Sequence, residues 1–314
     1  MLAVVCPGQG AQTPGMLAPW LEVPGVAHTL GELSEVSGLD LARLGTTADA
    51  DEIRDTAVAQ PLLVASALAS ARALGAAPDV VAGHSVGELG ALALAEVLDD
   101  RTALRLVALR GRAMAEAAAR VPTGMSAVLG GDPDEVLARL AELGLTPANV
   151  NGGGQVVAAG TLDALAELAA APPTRAKVIP LQVAGAFHTD VMAPAVDVLR
   201  DAAAGVTPAD PRVTLLTNAD GTPVATGAQA IDLVVQQVAR PVRWDLVQET
   251  MASLGVTGLL ELAPGGVLAG LARRVLPDVE RVALKSPADL DAARDLAARH
   301  SGTSVPTTNQ EDQP

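Results

Sequence analysis

The chain has 314 residues, 21 basic against 36 acidic, for a net charge of −15, and only 1% of it is aromatic: Trp20, Trp244 and Phe187, with no Tyr. An acidic chain without stacking rings is a poor match for nucleic acid, and the single Cys6 excludes a disulfide framework. One Cys and four scattered His argue against structural zinc, no apolar run reaches the roughly 18–20 residues of a membrane span, and MLAVVCPGQG lacks the basic start of a secretory signal, so a cytoplasmic globular enzyme is expected.

At this length, one large domain with an insertion or two domains is the starting expectation, with a core of Ala, Val and Leu. The apolar run 2–6, closed by Pro7-Gly8, predicts a buried strand and a tight loop. A helix is predicted over 61–74, a second strand over 80–82, and helices over 86–97 and 103–119. That alternation implies a parallel, doubly wound α/β sheet. After Pro122 the pattern changes. MSAVLGG, a helix over 133–143, NVNGGGQVVAAG, a helix over 162–170 and KVIPLQV read as strand-helix-strand-strand-helix-strand, the ferredoxin-like split pattern. We read 124–186 as a small subdomain inserted into a large domain made of 1–123 and 187–298. Helices over 191–204 and 229–238 and strands over 213–217 and 258–262 complete the large domain, and the polar segment 299–314 is expected to be disordered.

Gly83-His84-Ser85-Val86-Gly87 has the G-x-S-x-G spacing that puts a serine on a sharp strand-to-helix turn. The following helix aims its N-terminal N–H groups at the same place, where they favour developing negative charge. A glycine-rich turn without chemistry has the same residues. A nucleophilic serine needs a base. His84 adjoins Ser85 and should point away from its Oγ, His300 falls in the expected tail, and His28 lies in a polar stretch. His188 follows an apolar strand where the insert rejoins the large domain, a place where ligand clefts form, although a lone core histidine fits there equally well. In Pro7-Gly8-Gln9-Gly10-Ala11-Gln12 the dinucleotide pattern fails at Thr13, and the phosphate-loop pattern fails at Met16. The loop is either a plain turn or the source of a backbone donor to an oxyanion, in which case Gln9 and Val86 are the two donors. Arg110 and Arg112 sit on a helix, where most arginines are solvated.

Taken together, GQGAQ at 8–12, GHSVGE at 83–88, LRGRAM at 109–114, NVNGGGQVVAAG at 149–160, AFHTDVM at 186–192 and ARPVRW at 239–244 resemble malonyl-CoA:acyl-carrier-protein transacylases, in the family's order along nearly the whole chain. The resemblance implies an α/β-hydrolase-like large domain with a ferredoxin-like insert and no cofactor. It implies ping-pong transfer of malonyl from malonyl-CoA, through Ser85, to the phosphopantetheine thiol of acyl carrier protein in fatty-acid or polyketide synthesis. His188 would be the base, Arg110 the partner of the malonyl carboxylate, and Gln9 and Val86 the oxyanion hole. Gln60 and Phe187 would line the acyl pocket, and Gln237 would orient the base through its backbone carbonyl. An aromatic at 187 goes with malonyl over branched acyl groups. Position 240 is Arg where relatives often carry Asn, so which carbonyl does the orienting stays open.

Two other readings compete. A serine esterase or thioesterase normally places an acid between Ser and a late His. A non-catalytic module that docks carrier proteins predicts no covalent adduct at Ser85. Carrier proteins are acidic and so is this chain, so a local basic patch is required: Arg101 with Arg105, Arg240 with Arg243, or Arg273 with Arg274. A monomer is expected.

Overall fold

Five consecutive apolar residues, Leu2–Cys6, form β1, which is buried along its whole length. The computed structural model describes residues 1–302, and β1 lies at the centre of a five-stranded parallel sheet. The chain continues through α1 (Val26–Ser37), α2 (Leu41–Thr46), α3 (Thr56–Leu74), β2 (Val80–Gly83), α4 (Gly87–Leu94) and α5 (Asp100–Ala118). Next come β3 (Thr123–Gly130), α6 (Pro133–Glu142), β4 (Thr146–Gly152), β5 (Gln155–Thr161), α7 (Leu162–Ala170) and β6 (Ala176–Pro180). The last stretch holds α8 (Ala193–Ala203), β7 (Thr214–Leu215), α9 (Gly227–Gln237), β8 (Val242–Arg243), α10 (Trp244–Ser253), β9 (Gly258–Glu261), α11 (Val267–Val275), β10 (Glu280–Ala283) and α12 (Leu290–His300).

The parallel sheet has the order β10-β9-β1-β2-β7. Side chains alternate across a strand, so both faces of this sheet need cover. Leu2, Val4 and Cys6 point into one apolar cluster with Leu62, Leu89 and Leu104, while Ala3 and Val5 point into another with Trp244, Met251 and Leu268. Each buried Val or Leu contributes about 1.5–3 kcal/mol, which lets an aliphatic core do without aromatic bulk. The second sheet, also five-stranded, runs β6-β3-β5-β4-β8; its first four strands are antiparallel in the ferredoxin-like order. The fifth strand enlarges the unit read as 124–186: β8, from beyond it, pairs in parallel with β4 through Asn149–Val242 and Val150–Arg243.

Two expectations need correction. The helix read from Pro61 begins at Thr56, because the Asp55 carboxylate caps it by accepting the Ala57 N–H at 2.8 Å. That makes α3 long and apolar enough to cross a membrane, contrary to the reading that no run was. In this fold it is a core helix, most of its residues buried and packed against α1, α4 and α5. The disordered segment expected from 299 does not begin there. Arg299 and His300 end α12, and His300 is held by Glu280 at 2.9 Å and Thr257 at 2.9 Å. Residues 303–314 of that expected tail lie outside the described residues.

Candidate active site

β2 ends at Gly83 and α4 begins at Gly87, so Ser85 sits at the tip of the turn, in the left-handed region at φ 53°. A Cβ on Gly83 would stand 2.0 Å from the Gly87 backbone, and one on Gly87 would stand 2.3 Å from the Cys6 carbonyl oxygen. Both positions therefore demand glycine, and the turn is pressed against the end of β1. The strained backbone is held from outside. Asn218, just past β7, accepts the Ser85 N–H at 2.8 Å and donates from Nδ2 to the Gly83 carbonyl at 2.7 Å.

His188, also left-handed at φ 61°, brings Nε2 to 2.7 Å from Ser85 Oγ. Its Nδ1–H donates to the Gln237 backbone carbonyl at 2.8 Å, which assigns the tautomer and leaves Nε2 free to accept the serine proton. Burial, and then the neighbouring Arg110 cation, push the imidazole down from 6.5 to about 3, against the smaller upward pull of the Gln237 carbonyl. The imidazole is therefore neutral at neutral pH.

Arg110 faces inward on α5 and is buried, whereas Arg112, two residues on, is exposed. Gly111 lets α5 approach α3 closely: a Cβ there would lie 2.8 Å from the Thr56 carbonyl oxygen. The approach brings Gln60 of α3 to Arg110, whose Nη1 donates to Gln60 Oε1 at 2.7 Å. Arg110 Nη2 donates to Gln237 Oε1 at 2.8 Å and reaches Ser85 Oγ at 3.5 Å, while its Nε has no partner among the described residues. Burial lowers the guanidinium to about 10, with Glu88 opposing the shift, so it is still a cation at neutral pH.

Ser85, His188 and Gln60 open onto a cleft of about 170 Å³ between the two sheets' layers, whereas Arg110, buried 3.5 Å from Ser85 Oγ, is not among its lining residues. Gln9, Gln60, Ser85, Phe187 and His188 line one side, and Met125, Asn149 and Val157 of the second sheet line the other. It lies past the carboxyl ends of β1 and β2, the usual ligand position in a parallel sheet. Among the described residues no backbone hydrogen bond satisfies the N–H of Gln9 or Val86. His84 turns from Ser85 Oγ as expected: its Nε2 meets Asn151 Oδ1 at 2.9 Å and its ring stands edge-on to Trp244 at 5.5 Å. His28 lies on the exposed side of α1, 3.8 Å from Glu32.

Three features escaped the sequence reading. The Gln237 side chain, besides its carbonyl, holds Arg110. Asn218 and Glu88 form a buried polar floor beneath the turn, with Glu88 Oε1 accepting the Asn218 N–H at 2.6 Å. Glu88 had a signal, as the one charge in the otherwise apolar helix GELGALAL. Asn218 had none beyond its place at a strand end.

The depressed imidazole has a consequence for stability. The unfolded chain binds a proton on His188 below pH 6.5, and the folded chain does so only near pH 3, so folding stability is lost as pH falls through that window. His188→Gln lacks this loss. Urea unfolding at pH about 7, 6 and 5 is expected to show the variant gaining on the native chain by up to ~1.4 kcal/mol per pH unit below 6.5. A gap that stays constant with pH would contradict the buried, neutral imidazole.

Residues 3–287 match the family model described as acyl transferase domain. Over 302 residues the chain is 54% identical to a malonyl CoA-acyl carrier protein transacylase of Mycobacterium tuberculosis, covering 94% of this chain and 100% of that one. The crystal structure of MCAT from Mycobacterium tuberculosis superposes with a TM-score of 0.91 at 53% identity, over 94% of this chain and 99% of that one. A malonyl-transacylase in complex with its type II PKS acyl-carrier protein superposes at 0.87 with 34% identity, over 94% and 99%. With more than half of its positions identical to such an enzyme along almost its full length, the chain belongs to the malonyl CoA-acyl carrier protein transacylase family.

Proposed function

We propose that the chain moves malonyl from malonyl-CoA to the phosphopantetheine thiol of an acyl carrier protein through a malonyl ester on Ser85. The observation that carries this reading is the buried Arg110 cation, 3.5 Å from Ser85 Oγ and with an unpartnered Nε. A plain esterase has no use for a cation there. An acyl group ending in a carboxylate does, because a guanidinium binds that group with planar, charge-assisted hydrogen bonds.

The geometry supports the following steps. Ser85 Oγ attacks the thioester carbonyl while its proton passes to His188 Nε2. The N–H groups of Gln9 and Val86 receive the oxyanion. The carbon–sulfur bond breaks, and the imidazolium returns the proton to the CoA sulfur. In the second half the carrier thiol gives its proton to Nε2, its sulfur attacks the ester, and Ser85 Oγ leaves and is reprotonated. A carbonyl behind the base stabilises imidazolium less than a carboxylate would, but a thioester is an activated acyl donor and asks less of the base. No cofactor enters these steps.

Among the basic pairs, Arg101 is engaged with Glu35 at 3.9 Å and Arg243 with Asp245 at 2.7 Å. Arg240 borders a separate depression together with Asp190, Asp197 and Asp232. Arg273 and Arg274 are exposed in the last turn of α11, the helix whose Val267, Leu268 and Leu271 line the cleft. They are the favoured contact for an acidic carrier protein.

Three outcomes are expected. Intact-mass measurement after incubation with malonyl-CoA should find one malonyl adduct on the native chain and none on Ser85→Ala; a native chain that stays unmodified would overturn the proposal, and free malonate without carrier transfer would favour a thioesterase. Phe187, buried against the cleft, should exclude an α-methyl group. Phe187→Ser is then expected to raise the methylmalonyl-to-malonyl ratio of kcat/KM by ~10-fold or more, and an unchanged ratio rejects that steric role. Replacing Arg273 and Arg274 by Ala should raise the KM for carrier protein about 5-fold in a salt-dependent way, whereas replacing Arg101 and Arg105 should leave it unchanged.

A further inference from the structure

We propose that Glu88 is a positioning residue for the transfer: its buried carboxylate dictates which way the Gln237 amide faces, and so whether Arg110 and His188 are both held. The proposal rests on the reading above that Arg110 receives the acyl carboxylate. Glu88 lies in the first turn of α4 and is 3% exposed, yet it is not among the residues lining the cleft. A buried carboxylate costs several kcal/mol unless its oxygens are bonded, so its neighbours must be donors. They are. Oε1 accepts the Asn218 N–H at 2.6 Å and Oε2 accepts from Gln237 Nε2.

An amide can face either way with little change of shape, and hydrogen bonding decides. Here Nε2 of Gln237 faces Glu88, the Ser85 carbonyl at 2.9 Å and Asn218 Oδ1 at 3.2 Å. That leaves Oε1 toward Arg110 at 2.8 Å. The reversed amide would set an oxygen against the carboxylate and an NH2 against the guanidinium, two repulsions at once. The same residue's backbone carbonyl holds His188 Nδ1. Asn218, fixed by the same carboxylate, holds the Ser85 N–H. One anion thus underlies the nucleophile's turn, the base and the acyl-group cation without touching any of the reacting atoms. Burial pushes Glu88 up to about 7 against the pull of its donors and of Arg110. Only the ionised carboxylate accepts on both sides at once.

The test compares Ser85 acylation by malonyl-CoA and by acetyl-CoA, which has no carboxylate, in single-turnover intact-mass experiments. Glu88→Gln keeps shape and volume but turns an NH2 toward one of two donors. Misplacing catalytic groups by about an ångström can cost ~100-fold. We expect malonyl acylation to fall about 30-fold or more and acetyl acylation no more than ~5-fold, so that the preference narrows. Malonyl acylation within about 2-fold of the native rate, or equal losses for both acyl groups, would overturn the proposal. If Glu88→Gln does not fold, Glu88→Asp keeps the carboxylate but draws it back by one methylene from Gln237 and Asn218. It should narrow the malonyl preference in the same direction, and a folded Glu88→Asp variant with the native preference would equally overturn the proposal. A native chain that forms no malonyl adduct would instead count against the proposed function. In that event sulfonylation of Ser85 by a neutral sulfonyl fluoride still reads the floor: Glu88→Gln should slow it at least ~3-fold, and an unchanged rate rejects the positioning role.

Discussion

A guanidinium taken out of water is the constraint around which this site is built. Arg110 is buried beside the nucleophile, and isolated burial of a charge costs several kcal/mol. The fold meets that cost with two amide oxygens, from Gln60 on one helix and Gln237 on another, rather than with an adjacent carboxylate. The choice matters chemically. A carboxylate in direct contact would neutralise the cation and leave it little attraction for an incoming acid. Neutral amides hold it in place and keep its charge available, while the nearest compensating anion, Glu88, stands one amide away.

The same cation acts on His188. It adds to burial in keeping the imidazole neutral, and a neutral imidazole with Nδ1–H pinned to a carbonyl presents a lone pair to Ser85 Oγ at 2.7 Å. Gln237 is therefore the joint of the site: its backbone carbonyl holds His188 and its side chain holds Arg110. Its position at the end of α9 follows from the topology. A few residues later the chain crosses over as β8 to pair with β4, which ties this segment to the second sheet across the cleft.

Much of this was legible in the residues. Short unbroken apolar runs marked β1 and β2, and an apolar helix with arginines on one side marked α5, because a strand buried on both faces and a helix with one polar side leave distinct patterns. The glycines of 83–87 were readable as a turn, since no other residue fits where a Cβ would strike backbone at 2.0 and 2.3 Å. The helices α1, α10, α11 and α12 were passed over. Their apolar stripes are mixed with polar residues, and their order depends on the sheet they cover. The start of α3 was missed because Pro61 looked like a boundary, whereas the cap at Asp55 sets the boundary one and a half turns earlier.

The sequence by itself determined the chemical inventory: one serine on a glycine-flanked turn, four histidines to choose among, and a helix carrying four arginines, Arg110 and Arg112 among them. Only the tertiary structure decided which members of that inventory meet. Arg110 rather than Arg112 faces the interior beside Ser85 because a helix turns its neighbours about 100° apart and Gly111 draws that face onto α3. His188 rather than His84 reaches Ser85 because the turn directs adjacent side chains apart. Glu88, Asn218 and Gln237 join beneath the site although they are far apart in the chain. No local spacing encodes such contacts; they follow from three separate strand and helix ends converging on one edge of a parallel sheet.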